Sequence, residues 1–187
     1  MTVLITNILK DNRNQLEKDK DNNHGNGKGI GNVKLLHTNG HDKSYDDNED
    51  LIFVEADPVR ISQVISKLLN NAIKFTKVDV GEDAEDKTIT IKVDNKYDEA
   101  VVISVEDTGS GIDPEIFPKL FSKFVTNSDV GTGLGLFISK NIVEAHGGKV
   151  WAENNNDAFG KRTRGATFCF TLPAKSDTVN MQGITLT

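Results

Sequence analysis

Two apolar segments separated by a short connection constrain the fold of this chain more than any other feature. Thr88–Val93 alternates apolar and polar residues, Val101–Val105 is more continuously apolar, and Asp94–Ala100 joins them. A connection this short forms a hairpin, because parallel strands need a crossover of a dozen or more residues. Lys149–Ala152 and Ala166–Leu172 read as closing strands. The pattern therefore predicts a mixed, mostly antiparallel sheet and does not suit a doubly wound parallel one.

Helical periodicity indicates the layer that would cover this sheet. Asp57–Pro58 supplies an N-cap and a first-turn proline for a helix predicted to run to about Lys74. Its apolar stripe consists of Ile61, Val64, Ile65, Leu68, Leu69 and Ala72. A second helix is predicted to begin at Gly131–Gly135 and to end at His146. Helices on one face of such a sheet make an α+β two-layer sandwich.

Composition divides the chain into four parts. Residues 1–20 begin with helical spacing but hold too few apolar residues for an independent unit, so they are expected to be a residual helix. Residues 21–50 are predicted to be the polar, loop-rich N-terminal part of the domain. Residues 51–173, opening with a short strand at Leu51–Val54, form the one full domain, and residues 174–187 are expected to be a loose tail.

Charge and cysteine content exclude several classes of protein. The net charge of −6 argues against a surface for nucleic acid or anionic membrane. No apolar run approaches the length of a membrane span, and Met1–Leu9 lacks the features of a signal peptide. The single cysteine, Cys169, excludes an internal disulfide and fits a reducing compartment. A cytoplasmic location is therefore expected.

A polar stripe on the first helix is one candidate site. Gln63, Lys67, Asn71 and Lys74 are spaced by four, four and three residues. Such a stripe is usually a solvated face, but the adjacent pair Asn70–Asn71 is unusual because Asn is a mediocre helix former. An amide oxygen can complete a magnesium shell beside phosphate oxygens, and an ammonium group can neutralise phosphate charge.

Two glycine-bearing turns are further candidates. Asp107–Gly111 follows an apolar strand, which places at the strand end a carboxylate that can accept a hydrogen bond from an exocyclic amine such as that of adenine. Gly131–Gly135 precedes a helix, so its N–H groups and the helix dipole favour phosphate. It lacks the following Gly-Lys-Ser/Thr of a P-loop and the preceding parallel strand of a Rossmann fingerprint. Between the turns lie a phenylalanine-rich segment, Phe117–Phe124, and a predicted lid, Val125–Val130.

In order, four segments resemble the motif boxes of sensor histidine kinases. Gln63–Thr76 resembles their N box, Asp107–Ile112 the first glycine box, Phe117–Phe124 the phenylalanine box and Gly131–Leu136 the second glycine box. Four motifs in order are far more specific than any one alone. The resemblance implies a Bergerat-type ATP pocket, shared with gyrase, MutL and a heat-shock chaperone, and it implies ATP and Mg²⁺ as cofactors.

The resemblance also implies roles for individual residues. Asn71 would bind magnesium, Lys74 would contact phosphate and Phe75 would line the pocket. Asp107 would hold the adenine amine, and Thr167 would lie near it and bridge to adenine through water. The other expected ATP-binding residues are Gly109, Gly111, Ile112, Gly131, Thr132, Gly133, Leu134, Gly135 and Leu136.

Departures from the family pattern affect the chemistry of transfer. Lys67 stands where histidine kinases usually carry Asn and related ATPases carry a Glu general base, and an ammonium group cannot replace that base. Our hypothesis is that Lys67 compensates phosphate charge; the alternative is that it points to solvent. Val125–Val130 carries no Lys or Arg, and Lys119 and Lys123 are the nearest cations. No catalytic residue is assigned, and Lys67 and Lys123 are the candidates.

The histidine that such a kinase phosphorylates is not evident. None of His24, His37, His41 and His146 lies in a His-Glu/Asp-x-x-x-Pro-like box, and His146 reads as structural. The expected function is the ATP-binding catalytic domain of a sensor histidine kinase, with residues 1–20 as the end of a dimerisation or linker segment. Its partners would be a dimerisation or histidine phosphotransfer domain and a response regulator. Two alternatives are a nucleotide-binding regulatory module without transfer activity and a stand-alone anti-sigma-type serine kinase.

Overall fold

The computed structural model describes residues 2–21, 32–38, 42–43, 52–78, 87–97, 100–125, 132–156 and 160–174. In chain order the elements are β1 (Thr2–Leu4), α1 (Ile5–Asp21), β2 (Asn32–Thr38), β3 (Asp42–Lys43), β4 (Phe53–Glu55), α2 (Pro58–Val78), β5 (Thr88–Tyr97), β6 (Ala100–Asp107), a short 3₁₀ helix (Phe117–Lys119), α3 (Gly135–Ala145), β7 (Val150–Asn156) and β8 (Arg162–Pro173). The predictions for Gly131, lid residues 126–130, tail residues 175–187, His24 and His41 lie outside the described residues.

Six strands form the main sheet in the order β3-β2-β5-β6-β8-β7. Every neighbouring pair is antiparallel except β2 and β5, so the predicted mixed, mostly antiparallel sheet is confirmed. The predicted hairpin is β5–β6, in which Val93 pairs with Ile103. The last two strands are longer than predicted, because polar residues at their facing ends continue the backbone ladder: Asn154 pairs with Ala166, and Asn156 with Arg162.

A strand from the polar N-terminal region also contributes to the sheet. Asn32–Thr38 lies within the segment predicted to be loop-rich, yet it forms β2 and pairs in parallel with β5, with Val33 opposite Ile89. Its apolar run is short and lies among polar residues, so the sequence gives a weak strand signal. Backbone hydrogen bonds to a neighbouring strand, distant in sequence, stabilise it nonetheless.

The helices cover one face of this sheet, as predicted for an α+β two-layer sandwich. The apolar stripe of α2 is buried along its whole length, and it shares one core with Ile91 of β5, Ile103 of β6 and Phe170 of β8. Asp57 caps α2 as predicted, because its carboxylate accepts hydrogen bonds from the N–H groups of Val59 and Arg60.

Among the described residues, none of the helices combines the length and apolar character that a membrane crossing requires.

The segment predicted to be a residual helix contributes Ile5, Ile8 and Leu9 to this core. Thr2–Leu4 is a strand paired with β4, and α1 begins only at Ile5. Ile5 and Leu9 are fully buried. The Asn12 amide donates to the Ser62 hydroxyl at 2.9 Å and accepts from the Ser66 hydroxyl at 2.6 Å, which ties α1 to α2. The segment has few apolar residues of its own, and it is held in place by contacts with β4 and α2.

We expect Leu9→Ala to destabilise the domain by about 2–5 kcal/mol, because it removes a fully buried side chain from the contact between α1 and the core. Urea denaturation followed by circular dichroism measures the change. Asn7→Ala, at an exposed position of the same helix, is the control and should change stability by less than about 0.5 kcal/mol. Equal, small effects of the two substitutions would show that α1 does not belong to the cooperative unit.

Candidate functional site

A pocket of about 360 Å³ lies between α2, the turn that follows β6 and the start of α3. The residues that line it are Lys67, Asn70, Asn71, Lys74, Phe75, Gly111, Ile112, Asp113, Ile116, Leu120, Val125, Thr132, Gly133, Gly135, Leu136, Ala166 and Phe168. The polar face of α2 and residues of both glycine turns thus meet in one cavity. The volume is in the range of pockets that bind small molecules and cofactors.

Helix α2 contributes five of these residues from a single face. They recur at intervals of three and four, which brings them into line along a helix, and they are Lys67, Asn70, Asn71, Lys74 and Phe75. The Lys74 ammonium lies 5.2 Å from the centre of the Phe75 ring. At this distance the cation is attracted to the ring face, which helps to hold both side chains at the cavity wall.

Lys67 borders the cavity at the start of α3. A Cβ atom added to Gly135 would lie 3.7 Å from Cδ of Lys67, so the aliphatic stem of the lysine runs past the first residue of that helix. Lys67 is exposed and also lines the cavity, so its ammonium group is within reach of a bound anion. An ammonium group and a helix N-terminus are both positive, and together they favour an anion.

Asp107 lies at the end of β6 and is only 2% exposed. It does not line the cavity itself; its Oδ1 accepts hydrogen bonds from the N–H of Gly109 at 2.9 Å and from the N–H of Ala166, which does line it, at 3.3 Å. Both of these hydrogen bonds reach the same carboxyl oxygen. Burial raises the pKa of Asp107, the two backbone hydrogen bonds oppose this, and the neighbouring Glu106 adds to the rise.

Close backbone packing fixes the turn beside this carboxyl. A Cβ atom on Gly109 would lie 2.8 Å from the backbone carbonyl of Phe75, at the end of α2. Gly165 has a φ of +93°, and a Cβ atom there would lie 1.8 Å from the carbonyl oxygen of Asp107. Neither position can accept a larger residue without movement of the backbone. The turn is therefore pressed between α2 and β8.

The segment that leads to the lid meets the second glycine turn. The N–H of Phe124 donates to the carbonyl oxygen of Gly133 at 3.0 Å. Leu120 and Val125 contribute apolar surface to the cavity from this segment, and Phe124 itself is exposed. The phenylalanine-rich segment therefore builds part of the cavity wall.

Five predicted site residues lie outside the cavity wall, and they are Asp107, Gly109, Lys123, Leu134 and Thr167. The clearest correction concerns Thr167. Its hydroxyl donates to Oδ1 of Asn155 at 2.7 Å, not to Asp107. Side chains alternate along a strand, so Ala166 and Phe168 face the cavity and Thr167 faces away. The shared parity of Phe168, Phe170 and Leu172 is the sequence signal that identifies the correct face. Of the other four, Asp107 and Gly109 are joined by a hydrogen bond in the turn beside the wall. Leu134 is the N-cap of α3, and the Lys123 ammonium lies 5.0 Å from the Phe137 ring centre.

Sequence reasoning missed two asparagines on β7. Asn154 accepts from the N–H of Ile112 at 2.6 Å and donates to its carbonyl oxygen at 3.1 Å. Asn155 donates to the carbonyl oxygen of Asp107 at 2.9 Å. A run of Asn residues usually indicates a loop, so nothing local predicts these contacts, which join residues more than forty positions apart. The lining residues Asp113, Ile116, Leu120, Ala166 and Phe168 were also missed.

His146 connects α2 and α3 away from the cavity. Its Nε2 accepts from the N–H of Asp57 at 3.0 Å, and its Nδ1 lies 2.7 Å from the carbonyl oxygen of Ile142. Both contacts are satisfied by the neutral tautomer with the proton on Nδ1. This histidine therefore joins the end of α3 to the start of α2, in line with the structural role predicted for it.

The sequence is similar to an ATPase family and to two sensor proteins. Residues 56–176 match the family described as "Histidine kinase-, DNA gyrase B-, and HSP90-like ATPase". Sensor protein FixL of Bradyrhizobium diazoefficiens is 38% identical over 134 residues, which cover 72% of this chain and 24% of FixL. Sensor protein KdpD of Clostridium acetobutylicum is 44% identical over 131 residues, which cover 67% of this chain and 13% of KdpD. The chain thus spans a quarter or less of the length of these relatives.

The fold is similar to that of solved histidine kinase structures. The catalytic domain of histidine kinase ThkA matches with a TM-score of 0.68 and 30% sequence identity, over 92% of this chain and 94% of that chain. ThkA in complex with the response regulator protein TrrA matches with a TM-score of 0.66 and 29% identity, over 94% of this chain and 42% of that chain. The chain therefore belongs to the histidine kinase-, DNA gyrase B- and HSP90-like ATPase family, as the ATP-binding catalytic domain of a sensor histidine kinase.

Proposed function

We propose that this domain binds ATP with Mg²⁺ in the cavity beside α2 and transfers the γ-phosphoryl group to a histidine outside this segment, in the cytoplasm. One observation carries the proposal: the cavity joins two chemically different regions. Lys67 and the start of α3 offer positive charge, whereas Ile112 and Phe168 offer apolar surface beside the turn that holds Asp107. A nucleotide has the matching halves, a polyanion and a flat base.

Asp107 is the group we assign to the base. An ionised carboxylate is a hydrogen-bond acceptor only, and Oδ1 already serves two backbone N–H groups. Oδ2 is then the acceptor for the exocyclic amine of adenine. Gly109, Gly111 and Ile112 shape the turn beside it, and Phe75 continues the wall on α2.

Asn71 is the group we assign to the metal. Within the described residues there is no group of three or more His, Cys, Asp or Glu side chains that could hold an ion. The donor set fits Mg²⁺ bound with nucleotide, because that ion commonly takes a few protein ligands and completes its shell with phosphate oxygens and water. Lys74 and Lys67 would offset the remaining phosphate charge. The backbone of the second glycine turn would face the phosphates with Gly131, Thr132, Gly133, Leu134, Gly135 and Leu136.

In phosphoryl transfer the protein contributes mainly by positioning the reacting groups and by stabilising negative charge. The bond between the γ-phosphorus and its bridging oxygen breaks, and ADP leaves with the electron pair. The lone pair of an imidazole nitrogen forms the new bond to phosphorus, and the imidazole releases the proton of its other nitrogen to water. Lys67 can stabilise charge in this step but, as an ammonium, cannot remove the proton. Lys123 lies over Phe137 outside the cavity, so Lys67 is the remaining catalytic candidate. The partners would be a histidine phosphotransfer domain and a response regulator, as in the ThkA–TrrA complex.

Asp107→Asn should weaken ATP binding by about 100-fold or more, because Asn keeps the Oδ1 acceptor but presents an NH₂ donor to the adenine amine. Folding should not suffer. Burial raises the pKa of Asp107 above 3.8, so the folded state disfavours the ionised form, and the penalty is present at pH values above the raised pKa. The Asn variant should therefore be at least as stable as the wild type at pH 7. Isothermal titration calorimetry and thermal denaturation measure the two effects.

Glu115→Gln is the control for that substitution, because it removes the same charge from an exposed residue just beyond the same turn. It should leave ATP affinity within about twofold of the wild type, since surface charges in water interact weakly. Unchanged ATP affinity in Asp107→Asn would contradict the assignment of Asp107 to the base.

Lys67→Ala should lower the affinity for ATP about tenfold at low salt, and the affinity for ADP less, because its charge acts on the terminal phosphate. Raising the ionic strength should reduce the difference. Lys149→Ala, at an exposed position outside the cavity, provides the control. Equal losses for ATP and ADP, or no loss, would remove Lys67 from the phosphate site.

Transfer itself is tested by supplying the chain with ³²P-labelled ATP, Mg²⁺ and a separate histidine phosphotransfer domain. We expect label on that domain that is stable to base and lost in acid, as phosphohistidine is. ATP binding without any transfer would favour the regulatory module, and acid-stable phosphoserine on a partner would favour the serine kinase. Either result would contradict the proposed reaction while leaving the nucleotide site in place.

A further inference from the structure

Two side chains of β7, at one edge of the sheet, form hydrogen bonds to the first glycine turn. Asn154 and Asn155 lie on β7, the edge strand, and reach back to residues 42 and 48 positions earlier in the chain. The turn they contact runs from Asp107 to Ile112. Neither asparagine lines the cavity.

Asn154 holds the last residue of this turn. Its side-chain oxygen accepts from the N–H of Ile112 at 2.6 Å, and its side-chain nitrogen donates to the carbonyl oxygen of the same residue at 3.1 Å. The amide thus pairs with one residue's backbone as a neighbouring strand would. Ile112 lines the cavity and is only 7% exposed, so a shift of its backbone would change the wall directly.

Asn155 holds the first residue of the turn. Its side-chain nitrogen donates to the carbonyl oxygens of Asp107 at 2.9 Å and of Arg164 at 3.2 Å, and its oxygen accepts from the Thr167 hydroxyl at 2.7 Å. The second and third contacts lie on β8. One side chain therefore fixes the end of β6 relative to the strand that also supplies the Ala166 N–H to Asp107.

We propose that Asn154 and Asn155 are positioning residues for the nucleotide base. They hold both ends of the Asp107–Ile112 turn, so that the carboxyl and the apolar wall are in place before the base arrives. The inference rests on the proposed function of the cavity. It assigns affinity for adenine to two residues that do not touch the nucleotide.

The physical reason is the flexibility of the turn. Gly109 and Gly111 give the unrestrained segment many backbone conformations, and ordering it on binding would lower affinity. Contacts that already restrict the free protein to the competent form remove that cost. Asparagine suits the task because its amide carries a donor and an acceptor at once, whereas an aspartate would set a second acceptor against the Ile112 carbonyl oxygen.

The test compares ATP with inosine triphosphate, which carries the same phosphates but no exocyclic amine. In the full chain with Mg²⁺, Asn155→Ala, which releases the Asp107 end of the turn, should weaken ATP binding about tenfold and change the affinity for inosine triphosphate much less. The ATP preference of the wild type should therefore shrink. Asn156→Ala, at the exposed next position of the same strand, is the matched control and should retain the preference.

Hydrogen exchange of the nucleotide-free protein gives a second readout. The Ile112 amide should exchange faster in Asn154→Ala than in the wild type, with little change in the core of β6. Equal losses of both nucleotides would indicate general destabilisation and overturn the positioning role. An unchanged ATP preference would overturn it as well, whatever the exchange rate. A wild-type chain that binds neither nucleotide would instead contradict the proposed function.

Discussion

The site depends on one buried carboxyl. Oδ1 of Asp107 accepts N–H groups from Gly109, in its own turn, and from Ala166, on the adjacent strand. A carboxylate buried to this degree is costly, and two backbone donors offset part of the cost. The remaining oxygen is the acceptor that we assign to adenine. Removing this side chain would release the turn from β8 and take the base contact with it.

The sequence predicted the elements whose structure depends on neighbouring residues. The β5–β6 hairpin and the capped helix α2 follow from alternation, apolar spacing and the Asp57 cap, and they place Asn71 and Lys74 correctly at the cavity. The parallel strand β2 and the packing of α1 depend on partners far along the chain, so the short apolar run in each segment did not predict them. The hydrogen bonds of Asn154 and Asn155 are equally non-local.

Thr167 shows a different kind of error. The strand was predicted, but the residue was given to the wrong face, and on a strand one position reverses the direction of a side chain. Its neighbour Ala166 contributes to the site through its backbone N–H, which any residue but proline could supply. Composition carries no signal for such a role. Lys67, in contrast, was recognised because the family pattern has another residue there, and the structure places it at the cavity.

The most direct test of the nucleotide site is a titration of ¹⁵N-labelled protein with ATP and Mg²⁺, followed by two-dimensional NMR. The turn after β6, the facing part of β8 and the polar face of α2 should show the largest shifts, with Gly109, Ile112, Ala166 and Asn71 among them. A second cavity, lined by Asp57, His146 and residues of α3, should be unaffected. Shifts confined to that second cavity, or no saturable shifts at all, would contradict the account.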